Sequence, residues 1–357
     1  MAISTQQARA QFTSEITQIF EDRIMPTDLF RSYFPTVQVF TKYVSTQVRR
    51  FYENVAIDVR RGTEGNMNKI AKQSEKVYEP PMFAELIDLT QVDLYDRLFG
   101  SSAIDAGVYA QFRQNALMAM EVIQAKIERA IEIMCSQAMT TGVVTMTNQD
   151  TLTFPRQAGS LIAADPSTIF LNAMDPFAFI ETGANFLRQQ GKTMDVEFDL
   201  IMGSQAWNDL QSNAIYIQRV FQTLNNSINT INQPGRTMNG ASAHGVLSIG
   251  SYKAQLITYP QSYDVAGTAT PYMDPKKVIL VPRKPEWNCS FAAVPQVMVN
   301  PQAGLTGDFA EASLAAKTYV VDHWPDVPNS AHKMRIRSCP VPILTAVDRV
   351  WTAQVCA

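Results

Sequence analysis

The sequence predicts an α+β fold, and three observations support this prediction. One long helical pattern covers residues 105–142, two strand patterns precede it, and short helices and strands follow it in irregular order. A parallel α/β fold would alternate strand and helix regularly, so the irregular order favours α+β. The chain of 357 residues is 46% hydrophobic, which is enough to form the core of one large domain or two.

Composition narrows the classes of function. The chain has 30 basic and 33 acidic residues and a formal charge of −3, so it lacks the overall basic character of a dedicated nucleic-acid binder. The sequence shows no signal-segment pattern and no run of about 20 apolar residues, and we therefore expect a protein made and kept in a cytoplasm. The cysteines have no paired spacing and are expected to be reduced core thiols: Cys135, Cys289, Cys339 and Cys356.

The N-terminal region has the pattern of a short apolar arm. Residues 4–22 are amphipathic and end before Pro26, and a second short helix or turn is predicted over 27–34. Its apolar residues are too few to form a core, so we expect them to pack against the main body or a neighbouring subunit. These residues are Leu29, Phe30, Tyr33 and Phe34. Packing within the chain remains an equal alternative.

Two strand patterns enclose a long polar stretch. Apolar and polar residues alternate over 55–60 and again over 83–89, with the two-residue period of a half-buried strand. The stretch between them has mixed charge and almost no apolar anchor, which predicts a projecting hairpin or long loop. An ordinary solvated loop is the alternative. Its charged and glycine residues include Arg60, Arg61, Gly62, Glu64, Gly65, Lys69, Lys72, Glu75, Lys76 and Glu79.

The helical pattern that follows predicts one long spine helix. Asp105 is a suitable N-cap and Gly142 a suitable C′ residue. At about 1.5 Å per residue the segment would measure on the order of 54 Å, longer than one ordinary core requires. Apolar residues recur three or four positions apart and predict one buried stripe: Tyr109, Phe112, Ala116, Met120, Ile123, Ile127, Ile131, Met134 and Ala138.

The remaining chain predicts a compact mixed region. A short hairpin is expected over 143–154, and a helix should begin at Asp175-Pro176 and continue to Arg188. A buried strand over 198–202 precedes a helix that we expect Ser204 to cap. Residues 212–275 are poor in charge and rich in loop formers. Further strands are predicted at 246–249, 254–259, 278–281, 290–294 and 318–322.

Chemical motifs do not predict an active site, a cofactor or a metal. The segment 235–242 has the glycine spacing of a phosphate-binding loop, but Ala241 stands where the lysine is required, which favours a turn. Asp93 and Asp96 precede a helix and are more typical of dipole stabilisation than of acid–base catalysis. The histidines are too dispersed for a metal cluster: His244, His323 and His332. A site assembled from distant residues remains open.

The C-terminal segment carries a family resemblance. Trp324-Pro325-Asp326 precedes a turn, Ser338-Cys339-Pro340 enters an apolar strand, and Val347-Asp348-Arg349 leads to a last strand. This block resembles the closing block of the phage major capsid protein E family, the lambda-type shell proteins. The N-terminal Phe30-Arg31-Ser32-Tyr33-Phe34-Pro35 is similar to the aromatic-rich arm of that family, and the order of hairpin and spine helix agrees over nearly the full length.

The resemblance implies the Hong Kong 97-type shell fold. It suggests an N-terminal arm over 1–54, an extended hairpin loop over 55–92, and a peripheral domain over 93–171 with a spine helix at 106–141. An axial domain over 172–310 and C-terminal strands over 311–357 complete the expected organisation.

The function implied by the resemblance is that of a non-enzymatic major capsid protein, forming pentamers and hexamers of an icosahedral phage head around double-stranded DNA. Expected partners are other copies of the chain, scaffolding, portal and decoration proteins, and DNA through weak nonspecific contact. It would assemble in the host cytoplasm and reside in the virion. A cellular nanocompartment shell and a soluble α+β enzyme are the alternatives. The expected assembly interface comprises Arg60, Arg61, Glu64, Lys69, Lys72, Glu75, Lys76, Phe30, Tyr33 and Phe34.

Overall fold

The structure is a computed structural model of the chain. It describes residues 29–50, 72–90, 106–146, 151–163, 165, 169–171, 174–219, 235–236, 240–265, 267–299, 309–315, 317–326 and 331–356. The predicted helix at 4–22, the predicted strand at 55–60, the paired acids of residues 93 and 96, and the predicted N-cap at residue 105 lie outside these ranges.

Four helices of the described residues lie where the sequence predicts them. They are α1 (Leu29–Ser32), α2 (Ala106–Thr140), α3 (Pro176–Gln189) and α4 (Ser204–Ser212). The 35 residues of α2 give a length of about 52 Å. Gly142 has φ +72 and its amide donates to the carbonyl of Ala138, 3.1 Å away, so it ends the helix as predicted.

The helix α3 begins as the sequence predicts, whereas α4 does not. The Asp175 carboxylate accepts a hydrogen bond from the Phe177 amide and caps α3. In α4 the cap position belongs to Gly203, and Ser204 is the first helical residue. A side chain at Gly203 would lie 2.4 Å from the Asp274 carbonyl oxygen, so this close approach of two backbones requires glycine instead of a serine cap.

The strands form several small sheets and one large one. In chain order they are β1 (Thr36–Gln38), β2 (Val44–Arg50), β3 (Lys72–Tyr78), β4 (Phe83–Thr90), β5 (Val143–Val144), β6 (Leu152–Thr153), β7 (Leu161–Ile162), β8 (Glu197–Met202), β9 (Gly235–Arg236), β10 (Ser242–Ile249), β11 (Tyr252–Thr258), β12 (Ser262–Val265), β13 (Thr268–Pro271), β14 (Lys277–Pro282), β15 (Asn288–Phe291), β16 (Val294–Val299), β17 (Phe309–Ala315), β18 (Val320–Asp326), β19 (Ala331–Ser338), β20 (Pro340–Ile343) and β21 (Trp351–Gln354).

The large sheet has the order β7-β21-β14-β8-β11-β10-β9. It is mixed, since β8 pairs parallel with β11 and antiparallel with β14. Two three-stranded sheets have the orders β1-β15-β20 and β18-β19-β4. Two-stranded ribbons are formed by β2 with β3, β5 with β6, β12 with β13, and β16 with β17. The predicted hairpin over 143–154 is therefore confirmed.

The predicted strand at 83–89 is also confirmed, but its partner lies far away in sequence. As β4 it pairs antiparallel with β19, from Phe83 opposite Ser338 to Thr90 opposite Ala331. Among the described residues before β4, β2 and β3 pair with each other. Residues 44–50 of β2 alternate only weakly between apolar and polar, so their local pattern does not predict a strand.

Two hydrophobic clusters hold the described residues together. The first joins the stripe of α2 to α1, the three-stranded sheets and one face of the large sheet. The second lies between α3, α4 and the opposite face of the large sheet. The predicted stripe of α2 is buried at Ala116, Met120, Ile123, Ile127, Ile131, Met134 and Ala138. Within the described chain, no helix combines the length and the apolarity needed to cross a membrane.

Candidate assembly surface

The β2–β3 ribbon is the feature most suited to contact another subunit. Seven residue pairs link its strands, from Val44 opposite Tyr78 at the base to Arg50 opposite Lys72. At about 3.3 Å per residue the paired strands extend roughly 23 Å. Among the described residues, β2 and β3 pair only with each other. Such a ribbon presents backbone edges on both sides, which a second chain can cover.

The base of the ribbon is anchored to the subunit. Val44 is buried in the first hydrophobic cluster, and Tyr78 packs against that cluster. On the surface, the Lys42 ammonium lies 2.8 Å from the Glu79 carboxylate and 5.0 Å from the centre of the Tyr43 ring. The hydrogen bond to Glu79 raises the pKa of the exposed Lys42. The anchor fixes where the ribbon leaves the main body.

Exposed apolar side chains surround this base. Phe40 is 78% exposed and Val77 is 61% exposed, and Tyr43 and Met82 are each at least half exposed. A cavity of about 250 Å³ lies beside Tyr43, and Ile343 and Leu344 also line it. Aromatic residues, methionine and an apolar patch are typical of the buried centre of protein interfaces. These residues could not be predicted from the sequence, because single apolar residues among polar ones show no helical or strand period.

The arm residues that the sequence placed at the interface are buried in the subunit itself. Phe30 is completely buried and packs edge-to-face on Tyr259, and Phe34 stacks on Trp287 with ring centres 5.2 Å apart. Tyr33 is also buried. The interface assignment of Phe30, Tyr33 and Phe34 is therefore corrected to packing within the chain, because their apolar surface is already covered.

Two buried carboxylates hold this arm in place. Glu132 of α2 accepts hydrogen bonds from the amides of Phe30 and Arg31 at 2.9 and 2.8 Å, which satisfies the first turn of α1. Asp199 of β8 accepts the hydroxyl of Tyr33 at 2.9 Å. Burial raises the pKa of Asp199, and the hydrogen bond from Tyr33 partly opposes this change. The arm thus joins the spine helix to the large sheet.

The charged residues predicted at the hairpin divide into two groups. Lys72, Glu75 and Lys76 belong to β3, where they lie opposite Arg50, Gln47 and Thr46, respectively. Arg60, Arg61, Glu64 and Lys69 lie outside the described residues. Their role at an interface stays a prediction.

The described cysteine and histidine side chains do not form a reactive site. Burial raises the pKa of Cys289 and Cys339 to about 11 and that of Cys356 to about 12, which suppresses the thiolate. Cys135 is also buried and free, so the prediction of reduced core thiols is confirmed. His244 stacks on Trp207 at 4.1 Å. Among the residues that the structure describes, no group of three potential metal ligands converges.

Comparison with known proteins identifies relatives of the whole chain. The family model described as "Phage major capsid protein E" matches residues 12–355. A structure described as the capsid protein of a prophage from Escherichia coli CFT073 is 14% identical, with a TM-score of 0.59 and 99% coverage of both chains. A phage-related protein from Bordetella bronchiseptica RB50 is 10% identical, with a TM-score of 0.51 and 96% coverage of both chains. No curated protein matches the chain.

Proposed function

The chain belongs to the phage major capsid protein E family, and from this premise we propose that it assembles as pentamers and hexamers into an icosahedral head. The chain has the Hong Kong 97-type shell fold and is a shell-forming structural protein of the phage virion. The family match over residues 12–355 carries the proposal, and it favours a phage head over a cellular nanocompartment. Membership in a structural family also argues against the enzyme alternative.

The proposed subunit contact is made by the β2–β3 ribbon and its apolar base. We assign the projecting loop to residues 44–78 instead of 55–92, because β4 pairs with β19 in the main body. Burial of Phe40, Tyr43 and Val77 would supply most of the contact energy, at about 25 cal/mol per Å² of apolar surface. The mixed charges at 60–76 would then select the register between subunits, since exposed ion pairs contribute about 0–1 kcal/mol each.

The remaining proposals concern organisation and partners. Outside the loop we retain an arm before β2, a peripheral domain containing α2, an axial domain over 172–310 and the C-terminal strands over 311–357. Assembly would take place in the host cytoplasm with scaffolding, portal and decoration proteins. The packaged double-stranded DNA would meet the inner wall through weak nonspecific contact.

Electron microscopy with sedimentation tests the shell directly. The protein is expressed alone and together with the neighbouring genes of its phage, and closed shells or capsomer rings are expected.

Val77→Asp should fold but remain unassembled, because it places a charge in the apolar contact. Val77→Thr keeps the shape without the charge and is the matched control. Wild-type protein that forms only small particles under every condition would refute the proposed shell. Normal shells from Val77→Asp would show that the ribbon base does not take part in the subunit contact.

A further inference from the structure

The connection between β20 and β21 joins the two hydrophobic clusters. Leu344, Val347 and Val350 belong to the first cluster, whereas Trp351, the next residue, belongs to the second. The chain therefore passes here from the body that contains α2 to the helices behind the large sheet. Side chains that bind this connection therefore link the two clusters.

Arg156 is the central brace. Its guanidinium donates to the Met139 carbonyl in the last turn of α2 and to the Val350 carbonyl beside β21, both at 3.0 Å. It also donates to the carbonyl and hydroxyl oxygens of Ser160, before β7, at 3.0 Å each. The Thr352 hydroxyl donates to the same Met139 carbonyl at 3.1 Å. One side chain thus connects the end of the spine helix with the edge strand β7 and its neighbour β21 in the large sheet.

The environment of position 156 favours arginine over other residue types. Burial lowers the pKa of Arg156 to about 10, so the group remains charged at neutral pH, and Asp348 supplies a favourable charge. A Cβ at Gly142 would lie 2.8 Å from Cδ of Arg156, so the helix end leaves room for this side chain. Lysine has a single ammonium and cannot reproduce the planar, divergent set of donors.

Further hydrogen bonds fix the same connection. Arg349 donates to the Gly191 carbonyl after α3 at 3.1 Å and lies 2.8 Å from Glu286. The Trp287 indole donates to the Ala346 carbonyl at 2.9 Å. These bonds hold the connection in place, and Arg156 links it to the end of α2.

We propose that Arg156 is a positioning residue that sets the angle between the spine helix α2 and the large sheet, and thereby the curvature of the shell. This inference rests on the proposed shell function. Subunits in a closed shell meet neighbours on several sides, so a change of angle within each subunit alters the angle between neighbours. A shell of one size requires that this internal angle has a defined value at each position that a subunit occupies.

The first experiment measures the angle in the unassembled subunit. Spin labels at Val122→Cys on α2 and Val246→Cys on β10 occupy exposed positions, whereas the native cysteines are buried. The wild-type background should give one narrow distance distribution by pulsed electron resonance, and Arg156→Met should broaden or shift it. Leu200→Ala, a cavity variant inside the second cluster, controls for lost stability and should keep the narrow distribution.

The second experiment measures shell diameter by cryo-electron microscopy. Below its melting temperature, Arg156→Met should form shells of several sizes or open sheets instead of shells of one diameter. Arg156→Lys keeps the positive charge but should show the same loss of a single diameter. Leu200→Ala should retain the wild-type diameter even if its melting temperature is lower. If Arg156→Met does not fold, Thr352→Val removes the hydroxyl that accepts from Arg156 at 3.2 Å and donates to the Met139 carbonyl, and it should likewise give shells of several sizes.

The two experiments separate this inference from the shell proposal. A narrow, unchanged distance distribution in Arg156→Met, or equal broadening in Leu200→Ala, would overturn the role of Arg156. Uniform wild-type shells from Arg156→Met would overturn it as well. Wild-type protein that never forms shells would refute the proposed function and the effect on curvature, while the distance measurement would still decide whether Arg156 sets the angle.

Discussion

Asp199 shows how one buried carboxylate can make stability depend on pH. The side chain lies between the Tyr33 hydroxyl and the Arg283 guanidinium, whose nitrogen is 3.8 Å away. Its pKa is raised above the ordinary value, mainly because burial disfavours the charged form. The folded protein consequently binds this proton more tightly than the unfolded chain. The contribution of Asp199 to the free energy of unfolding therefore decreases as the pH rises above about 4.

Replacing Asp199 by asparagine should remove this dependence. Asparagine still accepts the Tyr33 hydroxyl but does not ionise, so the variant should gain stability relative to wild type as the pH rises above about 4, until the folded-state carboxyl of Asp199 is fully ionised. The gain is about 1.4 kcal/mol for each unit by which the folded pKa exceeds the unfolded one. Urea unfolding at several pH values measures it, and Glu197→Gln controls for the loss of a nearby exposed carboxylate. A difference between variant and wild type that stays constant with pH would contradict the assignment.

The spine helix offers a matched test of buried and exposed faces. Ile127 is almost completely buried in the stripe, whereas Val122 on the opposite face is 61% exposed. Ile127→Asp buries an unpaired charge and should destabilise the protein by on the order of 4 kcal/mol or more. Val122→Asp should change the free energy of unfolding by only about 0.5 kcal/mol. Solubility and thermal melting measure both, and similar behaviour of the two variants would contradict the orientation of α2.

The spine helix α2 illustrates which features can be predicted from local sequence pattern and which depend on distant contacts. The stripe from Ala116 to Ala138 follows from the local period of a helix, and the helix end at Gly142 follows from its backbone freedom. The fate of Phe30 does not follow from local pattern, because its amide is satisfied by Glu132, 102 residues away. Distant pairing likewise decided that β4 joins β19. The period of apolar residues and the capping of helices are local properties of the sequence, whereas strand and hydrogen-bond partners depend on the three-dimensional fold.

At the scale of the whole molecule, the sequence predicted the architecture better than the candidate surface. The order of hairpin, spine helix and mixed sheet follows from successive local patterns in the sequence. The structure and the family match confirm the resulting fold. The surface depends on which apolar residues remain uncovered after folding. Tyr43 and Val77 remain exposed because only one face of the ribbon base packs on the core. No one-dimensional pattern distinguishes such residues from buried ones.

The near-neutral charge of the chain predicts that the proposed contact with packaged DNA is weak. With 30 basic and 33 acidic residues, each subunit offers little net attraction to phosphate, and an inner wall that bound DNA tightly would hinder packing and ejection. Fluorescence anisotropy with a short labelled duplex should give a dissociation constant above about 1 μM at physiological salt. Shells and unassembled subunits are compared so that an effect of many copies can be separated from the affinity of one. Tighter binding by the subunit alone would reveal a local basic site that the net charge conceals, and would contradict a weak nonspecific contact.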